Sequence, residues 1–245
     1  MRSARYLSAG AALLLIAAGS LAGCTTTQQK AARLQLNNAR LRATQQSTRV
    51  STASRAVAVT AVSLIRAPGR AAIVVAVHNR GRRPVSDLPI SVGYRIGDGS
   101  PVYLNGSAGA DYFDAHLPSI DRGRTFTWVY LADQQVPAEG RPFAVVGAVP
   151  TVRVAGLAAA PAIAAGVKTA AAGDAIHVSV RNLSGVTQYQ LPVYAVAERG
   201  SRVLAAGAAT IEQLGGGASE TLQLKLLGSA DGARVALEAR PTIFQ

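Results

Sequence analysis

The sequence predicts an all-β chain, two successive sandwich modules preceded by an apolar leader and a basic arm. Three observations lead there. Ile73-x-Val75-x-Val77-His78-Asn79, followed after eight residues by Leu88-Pro89-Ile90, returns as Ile176-x-Val178-x-Val180-Arg181-Asn182 and Leu191-Pro192-Val193, every matched pair 103 positions apart. Short runs of alternating apolar residues, bounded by Gly, Pro and Asn, recur along both copies in the manner of sandwich strands. Charged residues make up only 16% of the chain, which suits short strands and tight turns better than long exposed helices.

The 245 residues have room for one large domain or two ordinary ones, and the repeat favours two of just under ~100 residues each. That length is enough for a sandwich-sized core, and the composition is not that of a disordered chain. The boundaries read as a leader over 1–23, an arm over 24–56, a first module over 57–152 and a second over 153–245. A single cysteine, Cys24, leaves no disulfide framework and no Cys-based metal site.

The leader has three parts in order. Arg2 and Arg5 are its positive start, Leu7 to Gly19 its short apolar run, and Leu21-Ala22-Gly23-Cys24 its close. The closing tetrad resembles the lipobox of bacterial lipoproteins. The resemblance implies lipidation of the Cys24 thiol, cleavage before it, and anchoring of an exported chain to a membrane facing the periplasm or the cell exterior. Two acyl chains suffice for stable anchoring. Thr25 rather than Asp follows, so in a two-membrane bacterium the resemblance implies no inner-membrane retention. The competing reading is an uncleaved anchor with an incidental thiol, for which the apolar run is short.

The net charge of +12 raises the question of nucleic acid, and its distribution answers it. The leader carries +2 and residues 24–56 carry Lys30, Arg33, Arg40, Arg42, Arg49 and Arg55 with no acid, whereas each module is only +2. A basic arm beside a lipid anchor is drawn to anionic lipid by roughly 1 kcal/mol per charge. Neither module shows the aromatic-and-basic stripe that base stacking requires, so nucleic acid is not expected as a partner. In the arm, Thr27 is placed to cap a marginal helix over 28–44, with Leu34 and Leu41 one heptad apart; the stripe is too thin for a self-sufficient coiled coil.

In the first module, Ala56 to Ile65 reads as a strand turned by Ala67-Pro68-Gly69, and Ile73 to Val77 as the next, ended by Asn79-Arg80-Gly81. Pro89 extends Leu88, after which Ile90, Val92, Tyr94 and Ile96 alternate with small or polar residues. Gly97-Asp98-Gly99 turns into a short strand from Pro101, and Asn105-Gly106 turns again. Phe126, Trp128 and Tyr130 form the aromatic face of a strand, and Phe143 to Val149 closes the module. In the second module the strands are Ile163 to Val167, Ile176 to Val180, Val193 to Ala197, and Leu222, Leu224 and Leu226 after Gly217, which matches Gly123 at an offset of 94. The extra length of the first module falls between Gly106 and Gly123.

About seven short strands per module point to an immunoglobulin-like sandwich. The strand–Asn–turn–Leu-Pro order resembles the Ig-like repeats of bacterial surface lipoproteins, while the cysteine pair and central Trp of antibody domains are absent. One asymmetry stands out: Val74, Ala76 and His78 occupy the alternate positions where the second copy has His177, Ser179 and Arg181. That more apolar outer face is a candidate contact with the second module or the arm, the competing reading being ordinary surface variation.

Chemistry is sparse. His78, His116 and His177 have no second ligand at metal spacing, Gly106-Ser107-Ala108-Gly109 is not a nucleophile elbow, and Gly215-Gly216-Gly217 lacks the Lys-Ser/Thr of a phosphate loop. Asp111 and Asp114 form the only conceivable carboxylate pair, and neither a cofactor nor an enzymatic activity is expected. Recognition is assigned to Asp111-Tyr112-Phe113-Asp114-Ala115-His116-Leu117, with Tyr112, Phe113, Asp114 and His116 as binding candidates. The competing reading has Tyr112, Phe113 and Leu117 plugging the core while Asp114 and His116 face water. The expectation is a non-enzymatic envelope lipoprotein that binds or scaffolds an envelope protein or wall component; the alternative is an accessory or chaperone-like subunit of an envelope assembly or secretion complex.

Overall fold

The computed structural model describes residues 49–50, 52–106, 111–148, 162–172 and 174–242, and these are nearly all β. The leader, Cys24, the helix expected over 28–44 and the join between modules at 153–161 lie outside the described residues. In chain order the strands of the first half are β1 (Val57–Ala67), β2 (Arg70–Asn79), β3 (Leu88–Arg95), β4 (Pro101–Tyr103), β5 (His116–Leu117), β6 (Thr125–Ala132) and β7 (Arg141–Val146). Those of the second are β8 (Ile163–Ala172), β9 (Ala175–Asn182), β10 (Gln188–Arg199), β11 (Arg202–Leu214), β12 (Ser219–Lys225), β13 (Leu227–Gly228) and β14 (Arg234–Ala239).

All pairing is antiparallel. β1-β2-β6 make one sheet, and β3 gathers β4, β5 and β7 into another. The second half repeats this plan, with β8-β9-β12 in one sheet and β13-β11-β10-β14 in the other. The apolar positions of the repeated motif are core in both copies. Ile73, Val75 and Val77 pack with Trp128, Ile90 and Val92, and Ile176, Val178 and Val180 with Leu191 and Val193. Each such side chain contributes roughly 1.5–3 kcal/mol when fully buried.

The motif's asparagine does more than end a strand. Asn79 is fully buried; its Nδ2 donates to the carbonyls of Arg83 (2.9 Å) and Ile120 (3.1 Å), and its Oδ1 accepts from the Gly81 amide (2.9 Å). Asn182 repeats this with Val186 (2.7 Å), Leu214 (3.2 Å) and Gly215 (3.1 Å) as acceptors and the Ser184 amide (3.1 Å) as donor. Each asparagine thus closes its own loop and ties it to the turn before β6 or β12. Those turns match as well: Gly123 and Gly217 both have left-handed φ, at 67° and 73°, which a side chain would strain.

A second shared feature has no counterpart in the sequence reading. Two non-glycine residues have positive φ among the described residues, Asp87 at 58° and Gln190 at 47°, and they stand 103 apart, each just before Leu-Pro. In β10 the twist is accommodated inside the strand, and Pro192 lies beyond the stretch of β10 that pairs with β14, so its missing N–H leaves no gap in that ladder.

Two expectations are corrected. The reading from the sequence assigned no strand between Ala197 and Gly217, where β11 runs for 13 residues. Its centre, Ala205-Ala206-Gly207-Ala208-Ala209, lacks polar–apolar alternation because both faces are covered. The end of the arm assigned to 24–56 is also not free: the Val50 amide donates to Ser91 Oγ (2.8 Å), Ser54 N to Val146 O (2.8 Å), and Ala53 bridges Gly147 on the flank of β7.

The apolar outer face of the first half meets the second half, one of the two contacts expected for it. Val74 is 5% exposed, and Tyr194, Val196 and Ala206 of β10 and β11 join the first half's cluster. His177, the counterpart of Val74, is exposed. Phe126 and Tyr194 meet edge to face at 5.8 Å, Arg240 pairs with Asp121 (3.2 Å) and Glu238 (3.3 Å), and its guanidinium lies 6.0 Å from the Phe126 ring centre.

Candidate functional site

The extra length of the first half is stitched to its own sheets by the side chains of Asn105 and of Trp128 and Tyr130 in β6. Asn105, read from the sequence as a turn residue, is buried: its Oδ1 accepts from Val92 N (2.8 Å) and its Nδ2 donates to Ile90 O (2.8 Å) and Asp114 O (2.9 Å). Trp128 donates its indole N–H to Phe113 O (3.0 Å), and the Tyr130 hydroxyl donates to Leu104 O (2.8 Å). Between these ties Tyr112–Asp114 form one 3-10 turn, with Ala115 N donating to Tyr112 O (3.2 Å). The aromatic strand β6 therefore holds the recognition stretch by its backbone.

Tyr112 is buried and donates its hydroxyl to the Asp87 carboxylate, so the left-handed residue before the first Leu-Pro anchors the turn. His116 stacks parallel to Tyr112 with ring centres 4.0 Å apart, and Phe113 meets Tyr112 edge to face at 5.3 Å. His116 Nδ1 lies 3.1 Å from Tyr112 O. A carbonyl only accepts, so Nδ1 carries the proton and Nε2 the lone pair. Burial holds the His116 imidazole down at about 4 and hence neutral. Asp114 is pushed up to about 6, by burial first and by the Asp111 charge second, against a lowering bond from the Asp111 backbone. Tyr130 is pushed up to about 12 by burial, with Asp114 and Asp133 adding to it.

Asp111, Asp114, Glu212, Tyr194, Gln190 and Thr210 are among the residues around a shallow hollow of about 50 Å³ between this turn and strands β10 and β11, and no basic residue lines it. The Tyr194 hydroxyl is buried with no hydrogen-bond partner among the described residues. The Trp128 N–H near it is committed to Phe113 O.

Of the four binding candidates, Tyr112, Phe113 and Asp114 line the hollow, and His116 stacks on Tyr112 behind them. Half of the competing reading is corrected: Tyr112 and Leu117 do plug the core, but Asp114 and His116 are largely withdrawn from water, because Asn105 and Trp128 pull the turn inward. His78 and His177 lie elsewhere, on β2 and β9, with His78 Nδ1 3.2 Å from Thr125 Oγ1. Among the described residues no three His, Cys, Asp or Glu side chains gather into a metal-binding group.

Asp87, Asn105, Gln190 and Tyr194 were not read from the sequence as part of this site. Their one available signal was the shared place of Asp87 and Gln190 before Leu-Pro. No protein-family model matches the chain, and no curated protein matches it.

Proposed function

We propose that the protein is a lipid-anchored component of the cell envelope whose two immunoglobulin-like modules act as a non-enzymatic binding or scaffolding element. The observation that carries this reading is the order Arg2, Arg5, apolar run, Leu21-Ala22-Gly23-Cys24, set ahead of two copies of one β module. Support for a binding rather than a catalytic role comes from the recognition stretch itself. Asp114 and His116 make their hydrogen bonds to backbone groups of their own turn, which spends them on shape. The partner in this reading is an envelope protein or a wall component, met at the seam around Tyr112, Phe113, Asp114 and His116. Cys24→Ala is expected to abolish metabolic labelling with a fatty acid; labelling that persists overturns the anchor.

A second reading, an accessory or chaperone-like subunit of an envelope assembly or secretion complex, is favoured by one observation. Among the described residues β14 ends its sheet and pairs on one side only, with β10, which offers an extended partner segment an edge to join. In-cell crosslinking separates the two. Recovery in a complex of fixed stoichiometry supports the accessory role, and free, polydisperse behaviour supports the first reading.

A further inference from the structure

The sheet centred on β3 has an inner face in the core and an outer face that, among the described residues, no other sheet covers. The strand register puts Ser91, Gly93 and Arg95 of β3, Pro101 and Tyr103 of β4, and Arg141, Phe143 and Val145 of β7 on that outer face, whose Ser91 end is buried beneath Val50 while the end with Arg95, Pro101 and Arg141 is exposed. At Gly93 a side chain would strike the Val102 carbonyl, and the rings of Tyr103 and Phe143 on either side of it meet edge to face at 5.4 Å. Both are half-exposed. Arg49 lies over Tyr103, its Cζ 5.0 Å from the ring centre, and Arg95 over Phe143 at 4.9 Å. Arg95 and Arg141 are direct cross-strand neighbours, an arrangement of like charges that costs stability on its own. Neither they nor Arg49 form an ion pair among the described residues, and the strands of this face carry no acid; Asp98 and Glu139 sit in the turns beyond.

We propose that this outer face is a membrane-contact surface, lying on the anionic phospholipid of the bilayer to which the chain is anchored. The chain reaches this face at Arg49, 25 residues after Cys24. Even fully extended, a stretch of that length reaches at most about 80–90 Å, which ties the face that carries its root to the neighbourhood of the bilayer. Residues 25–48 hold Lys30, Arg33, Arg40 and Arg42 and no acid, so their charge adds to that of Arg49, Arg95 and Arg141 and offers it no counter-charge. Half-exposed aromatics flanked by arginines suit the headgroup layer, where rings are partly buried and guanidinium groups meet phosphate. The inference rests on the anchoring reading for its geometry, and its test is built to be independent of fatty acid attachment.

Cys24 is the only cysteine, so full-length Cys24→Ser chain carrying one new cysteine takes a single environment-sensitive dye. Pro101→Cys reports on the proposed face and Gln223→Cys on exposed β12 of the other half. With vesicles of phosphatidylglycerol and phosphatidylcholine at about 1:2, the dye at 101 is expected to shift to the blue and brighten, while the dye at 223 does not move. Vesicles of phosphatidylcholine alone produce neither change. Arg95→Glu with Arg141→Glu is expected to weaken the response at 101 at least ten-fold; should that pair fail to fold by its melting curve, Arg95→Gln with Arg141→Gln takes its place with the same direction. An equal response at both positions overturns the proposal, as does no response at 101 while the arm still binds the vesicles. Response to soluble polyphosphate without response to the vesicles overturns it too, and assigns the face to an anionic polymer. Fatty acid labelling at Cys24 is unaffected by any of these results.

Discussion

Asp114 and His116 oppose one another in acid. His116 is held below its ordinary 6.5 at about 4, so its contribution to stability is complete above pH 6.5 and is lost as pH falls toward 4. Asp114 is raised from 3.8 to about 6, so its contribution is complete below pH 4 and is lost as pH rises through 6. Between pH 4 and 6 the two slopes, each at most about 1.4 kcal/mol per pH unit, cancel. Asp114→Asn is expected to expose a loss of stability on acidification across that window, and His116→Phe, which keeps the stack, a gain. Urea unfolding at pH 4, 5 and 6 reads both; an Asp114→Asn profile as flat as that of the parent contradicts the burial argument. The buried asparagines give a second expectation. Asn182→Ala leaves the carbonyls of Val186, Leu214 and Gly215 without their common donor and is expected to cost about 2–4 kcal/mol, with Asn79→Ala similar. Asn182→Asp should cost more, since an acceptor then faces three acceptors. Tyr194→Phe removes a hydroxyl that has no partner among the described residues and is expected to be neutral or to stabilise by up to about 1 kcal/mol in the same assay.

At the scale of elements, the left-handed residue before each Leu-Pro is the feature most exposed to mutation. Gln190→Val places a β-branched side chain at φ 47° and is expected to destabilise by about 1–3 kcal/mol, whereas Gln190→Asn, which tolerates that conformation, should be the milder change; thermal melting ranks them. The sequence made the inward positions of β2, β3, β6 and β9 legible because each has one clearly apolar face, and the 103-residue register identified Asn79 with Asn182 and Gly123 with Gly217. It did not disclose that the asparagines are buried, since a turn residue and a loop clamp have the same one-letter pattern. β11 was illegible for a different reason: alanines and a glycine covered on both sides carry no period of two. The extra length that holds Asp111 to Leu117 was legible along the chain, but the inward pull on that stretch comes from Asn105 and Trp128, contacts made across sheets that spacing does not encode.

For the whole molecule, the seam couples the two halves. Tyr194 belongs to the first half's core cluster although it comes from β10, and Arg240 reaches from the end of β14 to Asp121. A single calorimetric unfolding transition is therefore expected. Tyr194→Ala, which empties the space beside Phe126, is expected to cost about 3–5 kcal/mol and to split the transition in two. A Tyr194→Ala protein that still melts in one step at a similar temperature would contradict the coupling.

The seam also has a direction. The outer face of β1-β2-β6 receives the β10 and β11 face of the other half, while the corresponding β8-β9-β12 face presents His177 and Arg181 to water. Joined head to tail, such units propagate into filaments only if every unit offers the same receptor face. Here the receptor is used once and its copy is polar, so the docking step that unites the halves terminates itself and does not repeat from chain to chain through this face.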